Sequence, residues 1–242
     1  MTTQSVWGPT PSRFYRLLRR VEQSARNRLS ACVVGCSDGK FVMPLLRRGH
    51  KVAAYDIDEV ALFGGEKVFP LARRSVPKLP YVSIQQADAL PTLPCETRAI
   101  AGLEQRLRSE NLRGLAVVHR TDFYHSPPGT LFDFVFTSCS MQYKNNQDLP
   151  IASLIGILQE HVAPGGALAV EYMLPLEDSH TWKAPHFLRT GQMRPFFGQS
   201  RWAATSCREA HRPLFEAAHV DRPQDHYHRF GYLLATRGSS DE

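Results

Sequence analysis

The stretch from Ala31 to Asp56 constrains the fold more than any other part of the chain. Ala31-Cys32-Val33-Val34 is a short apolar run ending at Gly35, the pattern of a buried strand entering a tight turn. Gly35-Cys36-Ser37-Asp38-Gly39 follows, and residues 41–48 then read as a helix with Phe41, Val42, Leu45 and Leu46 inward. Pro44 falls near its first turn, where a missing N–H costs little, and Gly49 is a natural stop. Val52-Ala53-Ala54-Tyr55 is a second strand, closing at Asp56. A strand, a glycine turn, a helix and another strand in so short a stretch call for parallel pairing through a right-handed crossover. The expected architecture is therefore α/β.

The rest of the chain extends this pattern. Phe14, Leu17, Leu18 and Val21 recur at i, i+3, i+4 and i+7, so residues 10–28 read as an amphipathic helix. Thr10 is the expected N-cap and Pro11 the first helical residue. Prolines interrupt 66–95, which is expected to be an insertion with one strand at 81–84. Residues 96–111 read as a helix with Ile100, Leu103 and Leu107 on one face. Strands are expected at 115–118 and 132–137, a helix at 154–162, and a strand at 167–172 after the turn Pro164-Gly165-Gly166. Residues 175–212 lack a clear period and are expected to form a lid or substrate-side insertion, before last strands near 215–220 and 231–235. Alternating strands and helices predict a doubly wound sheet in a single domain over 1–242, with 1–29 as an N-terminal helical cap.

Composition bounds the partners. The 242 residues are 43% hydrophobic and 21% charged, the balance of an ordinary globular chain. No apolar run approaches the roughly 20 residues of a membrane helix, and Met1-Thr2-Thr3-Gln4-Ser5 lacks the layout of a signal peptide. A cytoplasmic protein with no membrane partner, monomeric or homodimeric, is the expectation. The five cysteines are scattered with no C-x-x-C pair, so no metal site is expected. Part of the net charge of +6 comes from Arg13, Arg16, Arg19, Arg20, Arg26 and Arg28. That run reads as the solvated face of a helix, with an anionic substrate or nucleic acid as the alternative.

In a doubly wound fold, ligands bind beyond the carboxyl ends of the strands. The loop at 35–39 lets a ligand approach the backbone closely. Asp56, about twenty residues beyond the glycine turn, can accept hydrogen bonds from ribose hydroxyls. Asp122-Phe123 puts an acceptor beside an aromatic ring, and Thr137-Ser138-Cys139-Ser140 leaves room for a reacting group. Together, in this order, they describe a nucleoside pocket; the alternative is a set of acids that cap helices. The sequence holds no G-x-x-x-x-G-K-[ST] and no full G-x-G-x-x-G after the first strand.

Val33-Val34-Gly35-Cys36-Ser37-Asp38-Gly39, with Val52-Ala53-Ala54-Tyr55-Asp56-Ile57-Asp58, resembles motif I and the following acidic strand of class I, Rossmann-like methyltransferases. Leu131-Phe132-Asp133-Phe134-Val135-Phe136 resembles their fourth strand, and Val162-Ala163-Pro164-Gly165-Gly166-Ala167-Leu168 their Pro-Gly-Gly turn. Within that superfamily the thiopurine and tellurite-resistance methyltransferases are the nearest likeness, on Gly35-Cys36, Arg48-Gly49-His50, Asp122-Phe123-Tyr124 and Val170-Glu171-Tyr172. The resemblance covers about 30–65 and 115–175. Val33 replaces the family's usual acid, Ser37 its middle glycine, and Ser138-Cys139-Ser140 stands where an Asp-Arg pair is common.

The resemblance implies a seven-stranded, mostly parallel sheet and S-adenosylmethionine as cofactor, with S-adenosylhomocysteine as product. It places Gly35, Cys36, Ser37, Gly39, Asp56, Ile57, Asp122, Phe123 and Ser138 around that cofactor, with Asp88 as a competitor to Asp122. Candidate catalytic residues are Tyr143, Tyr172 and His180, with Glu171, His186, His226 and His228 as further bases. Trp7, Arg13 and Tyr15 are candidates to fold over the cofactor or simply to pack the first helix. The leading reading is methyl transfer to an O, N or S atom of a small-molecule acceptor. Nucleic acid is disfavoured because the fourth strand does not end in Asn/Asp-Pro-Pro-Tyr and no RNA-binding module is visible. A tRNA or nucleic-acid methyltransferase and a non-catalytic S-adenosylmethionine-binding protein remain the alternatives.

Overall fold

The computed structural model describes residues 5–25, 28–71, 94–176, 187–198, 201–216 and 226–239. Its strands are β1 (Ser30–Val34), β2 (Lys51–Asp56), β3 (Gly65–Pro70), β4 (Cys95–Ile100), β5 (Ala116–Arg120), β6 (Phe132–Ser138), β7 (Val162–Leu174), β8 (Trp202–Glu209), β9 (Leu214–Glu216) and β10 (His226–Arg237). The helices are α1 (Ser12–Ser24), α2 (Val42–Arg47), α3 (Glu59–Phe63), α4 (Leu103–Ser109) and α5 (Ile151–Glu160).

The predicted unit around β1 forms as read. β1 pairs in parallel with β2 on one side and with β6 on the other. The full order is β5-β2-β1-β6-β7-β10-β8, with the short β9 joined to β10 off that path. β5 through β7 are parallel, and β10 is antiparallel to both β7 and β8. The chain builds outward from β1 through β2 to β5 and then returns to β1's other edge with β6. That reversal opens a crevice at the carboxyl ends of β1 and β6.

Alternation along the central strands divides the core in two. Ala31 and Val33, Val52 and Ala54, and Phe134 and Phe136 face α1, α2 and α4. Cys32, Val34, Val135, Leu168, Val170 and Tyr172 face α5. Strands buried on both faces are what a parallel sheet with helices on either side requires.

Several expectations change. α1 runs from Ser12 to Ser24, capped by Pro11 without a side-chain bond, and Thr10 instead donates to the Lys40 carbonyl at 2.6 Å. The helix read over 96–111 is correct only from Leu103; residues 95–100 pair antiparallel with 65–70 as a hairpin apart from the main sheet. Ile100, the first residue of the supposed apolar face, is the buried end of β4. The Pro-Gly-Gly turn lies inside β7, where the register with β6 shifts, and does not precede the strand. Residues 202–209 of the supposed lid are the edge strand β8. Residues 81–84 lie outside the described residues. Among those described, no helix is long and apolar enough to cross a membrane.

Candidate functional site

The site begins where β1 ends. Gly35 has φ +68°, and a Cβ placed there would lie 2.7 Å from Ser140 Cβ. The turns after β1 and β6 therefore touch only because residue 35 is glycine. Gly35 and Cys36 both donate their N–H to the Tyr55 carbonyl, at 2.9 and 3.0 Å, which ties the loop to the end of β2. Ser37 also has positive φ, +47°, a backbone region few non-glycine residues adopt. Its N–H donates to Asp56 Oδ2 at 2.6 Å, and Asp56 Oδ1 accepts the Asp58 N–H at 2.9 Å. Burial pushes the Asp56 pKa up, against the lowering effect of these backbone donors.

The N-terminal segment lies across this loop. Trp7 Nε1 donates to Ser37 Oγ at 2.7 Å, and Lys40 Nζ donates to the Trp7 carbonyl at 2.9 Å. Asp38 holds the segment in place: its carboxylate accepts Ser5 Oγ–H at 2.6 Å and Val6 N–H at 2.7 Å. Arg106 Nη1 lies 3.5 Å from the same carboxylate and donates to the Asp38 carbonyl. Asp38 is 0% exposed, so it anchors protein and not ligand. The sequence reading assigned it no role; a carboxylate inside a tight glycine loop was the available signal, since burial demands partners.

These elements enclose a cleft of about 280 Å³, lined among others by Gly35, Ser37, Asp56, Ile57, Asp122 and Tyr143. Ile57 and Tyr143 are 49% and 50% exposed and supply apolar walls. Asp122 accepts the Tyr124 N–H at 3.0 Å and Asn145 Nδ2–H at 2.7 Å, with His125 Nδ1 at 3.1 Å. Burial pulls its pKa up, but the bonds from His125 and Asn145 outweigh that and leave it below the ordinary carboxylate value. At the base, Thr137 Oγ1 donates to the Val34 carbonyl at 3.0 Å. With that proton committed, Ser140 donates to Thr137 and Tyr124 to Ser140, the latter at 2.6 Å. Burial raises the Tyr124 pKa and keeps its hydroxyl protonated.

The structure brings together Gly35, Ser37, Asp56, Ile57, Asp122, Phe123, Tyr143 and Trp7. The Phe123 ring is 2% exposed and sits edge-on to Tyr55 and His161, so it fills the core and does not cover the opening. Cys36, Gly39 and Ser138 are not among the lining residues. The Cys36 thiol is buried, and desolvation first and Asp56 second push its pKa well up. Gly39 packs beneath Leu103, and Ser138 is in the ladder opposite Glu171, leaving Ser140 to line the cleft.

Tyr172 requires a correction as a catalytic candidate. It is fully buried, its ring lies against Gly231, and its hydroxyl donates to Glu209 Oε1 at 2.7 Å. Desolvation, then the Glu209 bond, raise its pKa far beyond the range of a base. Glu171 is held by Arg13 Nη2 at 2.8 Å, His228 packs 4.2 Å from Phe230, and Tyr15 lines a separate groove beside Met43 and Arg47. His180, His186 and Asp88 lie outside the described residues. Among those described, no three His, Cys, Asp or Glu side chains gather as a metal-binding group.

No protein-family model matches the sequence, and no curated protein sequence does. Solved structures do match. TehB from Haemophilus influenzae superposes with a TM-score of 0.56 at 12% identity, over 93% of this chain and 62% of that one. N-methyltransferase NodS from Bradyrhizobium japonicum WM9 superposes with a TM-score of 0.56 at 12% identity, over 94% of this chain and 95% of that one. The fold is that of the class I methyltransferases. A third match, a putative RNA methyltransferase from Pyrococcus horikoshii, has a TM-score of 0.52 at 9% identity, over 94% of this chain and 85% of that one. At such identities the likeness is one of fold alone, and this chain spans less than two thirds of TehB.

Proposed function

We propose that this chain binds S-adenosylmethionine in the cleft beside Asp56 and transfers its methyl group to a small-molecule acceptor. One observation carries the reading: at the topological switch of a methyltransferase fold, the Ser37 and Asp58 N–H groups hold an acceptor-only carboxylate facing the cleft. An ionised carboxylate offers roughly four lone-pair positions, and two are taken, so two remain for ribose hydroxyls. Ile57 and Tyr143 would flank the purine ring, and Asp122 would meet its edge. NodS, with the same fold, has been solved in complex with S-adenosyl-L-homocysteine.

Bound there, S-adenosylmethionine would supply an electrophilic methyl carbon on positively charged sulfur, with S-adenosylhomocysteine as the leaving group, and Asp56, Ile57, Asp122 and Tyr143 would hold it. The residues of the cleft position the reactants and exclude water. Tyr124 is held protonated and the Cys36 thiol is inert. Alignment of the two reactants is therefore the main contribution of the described cleft. The Trp7–Ser37 bond covers the loop from the N-terminal side and shields that end from water.

Calorimetric titration with S-adenosylhomocysteine tests the reading, followed by labelled methyl transfer into a metabolite extract. Ligand that binds only the folded state must raise the melting temperature. An unchanged melting temperature at millimolar ligand would overturn the assignment.

A further inference from the structure

On the face of the sheet away from α5, a groove runs between α1 and the strands β7, β10 and β8. Register sets Glu171, Tyr232 and Arg208 opposite one another across these three strands, so their side chains share one face. Ala169, Leu234 and Ser206 form the next row. From α1, Arg13, Arg16 and Arg20 project toward the same groove, spaced as neighbours on one helical face. The groove holds about 390 Å³, and Phe14, Leu17 and Phe136 make part of its apolar lining.

Its charges are not balanced. Arg13 is committed to Glu171, with contacts of 2.8 and 3.3 Å, and its guanidinium lies 4.5 Å from the centre of the Tyr232 ring. Glu209 is committed too: Oε1 accepts the Tyr172 hydroxyl at 2.7 Å and Oε2 the Gly191 N–H at 2.8 Å. Among the described residues, Arg16, Arg20 and Arg208 have no ion-pair partner, and all three are exposed at the groove. The groove also reaches the level of the nucleoside cleft. Glu171 is the register partner of Ser138, and its carbonyl accepts the Cys139 N–H at 2.7 Å. The next residue, Ser140, lines the cleft.

We propose that this groove binds the oxyanion of the methyl acceptor, a small organic carboxylate or phosphate with an apolar body. Arg16 and Arg208 are its principal anchors, with Arg20 one turn further along α1. Planar guanidinium groups suit both oxyanions through paired N–H donors. The volume falls within the roughly 300–1,000 Å³ of small-ligand pockets. An oxyanion held by arginines is a weakened nucleophile, so the methylated atom lies elsewhere on the acceptor. The acceptor role rests on the methyltransferase reading above; the anion site rests on the groove alone.

The test uses the full chain, with and without S-adenosylhomocysteine, titrated with benzoate, phenylpropionate and phenyl phosphate beside the neutral benzamide and phenylpropionamide. At least one anion should bind, with its neutral counterpart about tenfold weaker or more, the loss expected for a charge-assisted bond. A preference for carboxylate over phosphate, or the reverse, names the oxyanion. Arg16→Gln and Arg208→Gln should each weaken the anion about tenfold and leave S-adenosylhomocysteine binding as in the wild type. Equal affinity for anions and amides, no anion binding, or full anion binding in the double variant would refute the groove. Salt-sensitive binding of a single-stranded RNA, lost in the double variant without any small-anion binding, would also refute it and make this face a nucleic-acid surface. If anions bind and S-adenosylhomocysteine does not, the anion site stands and the acceptor role falls with the methyltransferase reading. If only S-adenosylhomocysteine binds, the methyltransferase reading survives without the groove.

Discussion

Asp56→Asn keeps the size of the side chain and removes its charge. In the wild type, Oδ2 takes the Ser37 N–H at 2.6 Å and Oδ1 the Asp58 N–H at 2.9 Å. An amide has one carbonyl oxygen, so one of these N–H groups must face an NH₂. Losing one charge-assisted bond costs about 1.5–3 kcal/mol of stability. The loss falls on a loop whose Ser37 is held at φ +47°, so the cleft wall loosens as well. Two ribose bonds weakened by about 1.5 kcal/mol each raise the Kd for S-adenosylhomocysteine about a hundredfold. Urea denaturation measures the first effect and calorimetry the second. If stability falls as expected but affinity stays within about twofold, Asp56 only staples the loop and the ribose assignment is wrong. The pH dependence gives an independent check. Burial raises the Asp56 pKa above its ordinary 3.8, so the folded state binds this proton more tightly than the unfolded chain. Its contribution to folding is fully present below the unfolded value and is lost as pH rises through the raised folded value. Ribose binding needs the ionised form, so wild-type affinity should start to fall on acidification while the pH is still above 3.8. Asp56→Asn should lack that step.

Tyr172→Phe leaves Glu209 without its hydroxyl donor and should cost about 1.5–3 kcal/mol of stability with S-adenosylhomocysteine affinity and kcat unchanged; a fall in kcat with stability intact would return Tyr172 to the chemistry. Gly231→Ala would set a Cβ 2.1 Å from Tyr172 Cζ, in a ring that is 0% exposed. Overpacking of that kind should cost about 3 kcal/mol by urea denaturation, and a wild-type midpoint would mean that the ring moves freely. His125 bonds first to Asp148 and then to Asp122, so its pKa is raised above 6.5. Its stabilising contribution is present below 6.5 and is lost as pH rises through the higher folded value. NMR titration should show a midpoint above 6.5 that drops in Asp148→Asn; an unmoved midpoint would remove that ion pair from the account. Trp7→Phe removes the Nε1 bond to Ser37 and should weaken S-adenosylhomocysteine about fivefold by calorimetry. Unchanged affinity would separate the N-terminal segment from the cleft.

Local features were legible where the signal itself was local. The run 31–56 carries its strand, turn, helix and strand in consecutive residues, and each forms within one or two residues of its expected place. Asp56 and Gly35 could be paired from spacing because a parallel strand-helix-strand unit must bring those strand ends together. The hairpin of 65–70 with 95–100 could not be read this way, since a pairing some thirty residues apart overrides the helical spacing of Ile100, Leu103 and Leu107. β8 was hidden for a related reason. An edge strand carrying Ser206, Cys207 and Arg208 has no continuous apolar run, and its pairing with β10 supplies what its own composition does not.

Side-chain direction was the larger gap. Sequence order places Glu171 beside Tyr172, but the pleat sends them to opposite faces. Glu171 meets Arg13 above the sheet, and Tyr172 is buried below it against Gly231. Which face becomes core and which becomes groove depends on where α1 and α5 come to rest. The arginines of α1 show the same division. Their spacing was visible in the chain and was consistent with a solvated helix face. The tertiary structure sets that face against Tyr232 and Arg208, and turns a row of surface charges into one side of a groove. The sequence by itself determined the parallel unit, the glycine loop and the acid that follows it, because these depend on local geometry and short-range chirality. Only the folded sheet decided what surrounds them, because burial, register and charge balance are properties of chain segments that meet from far apart.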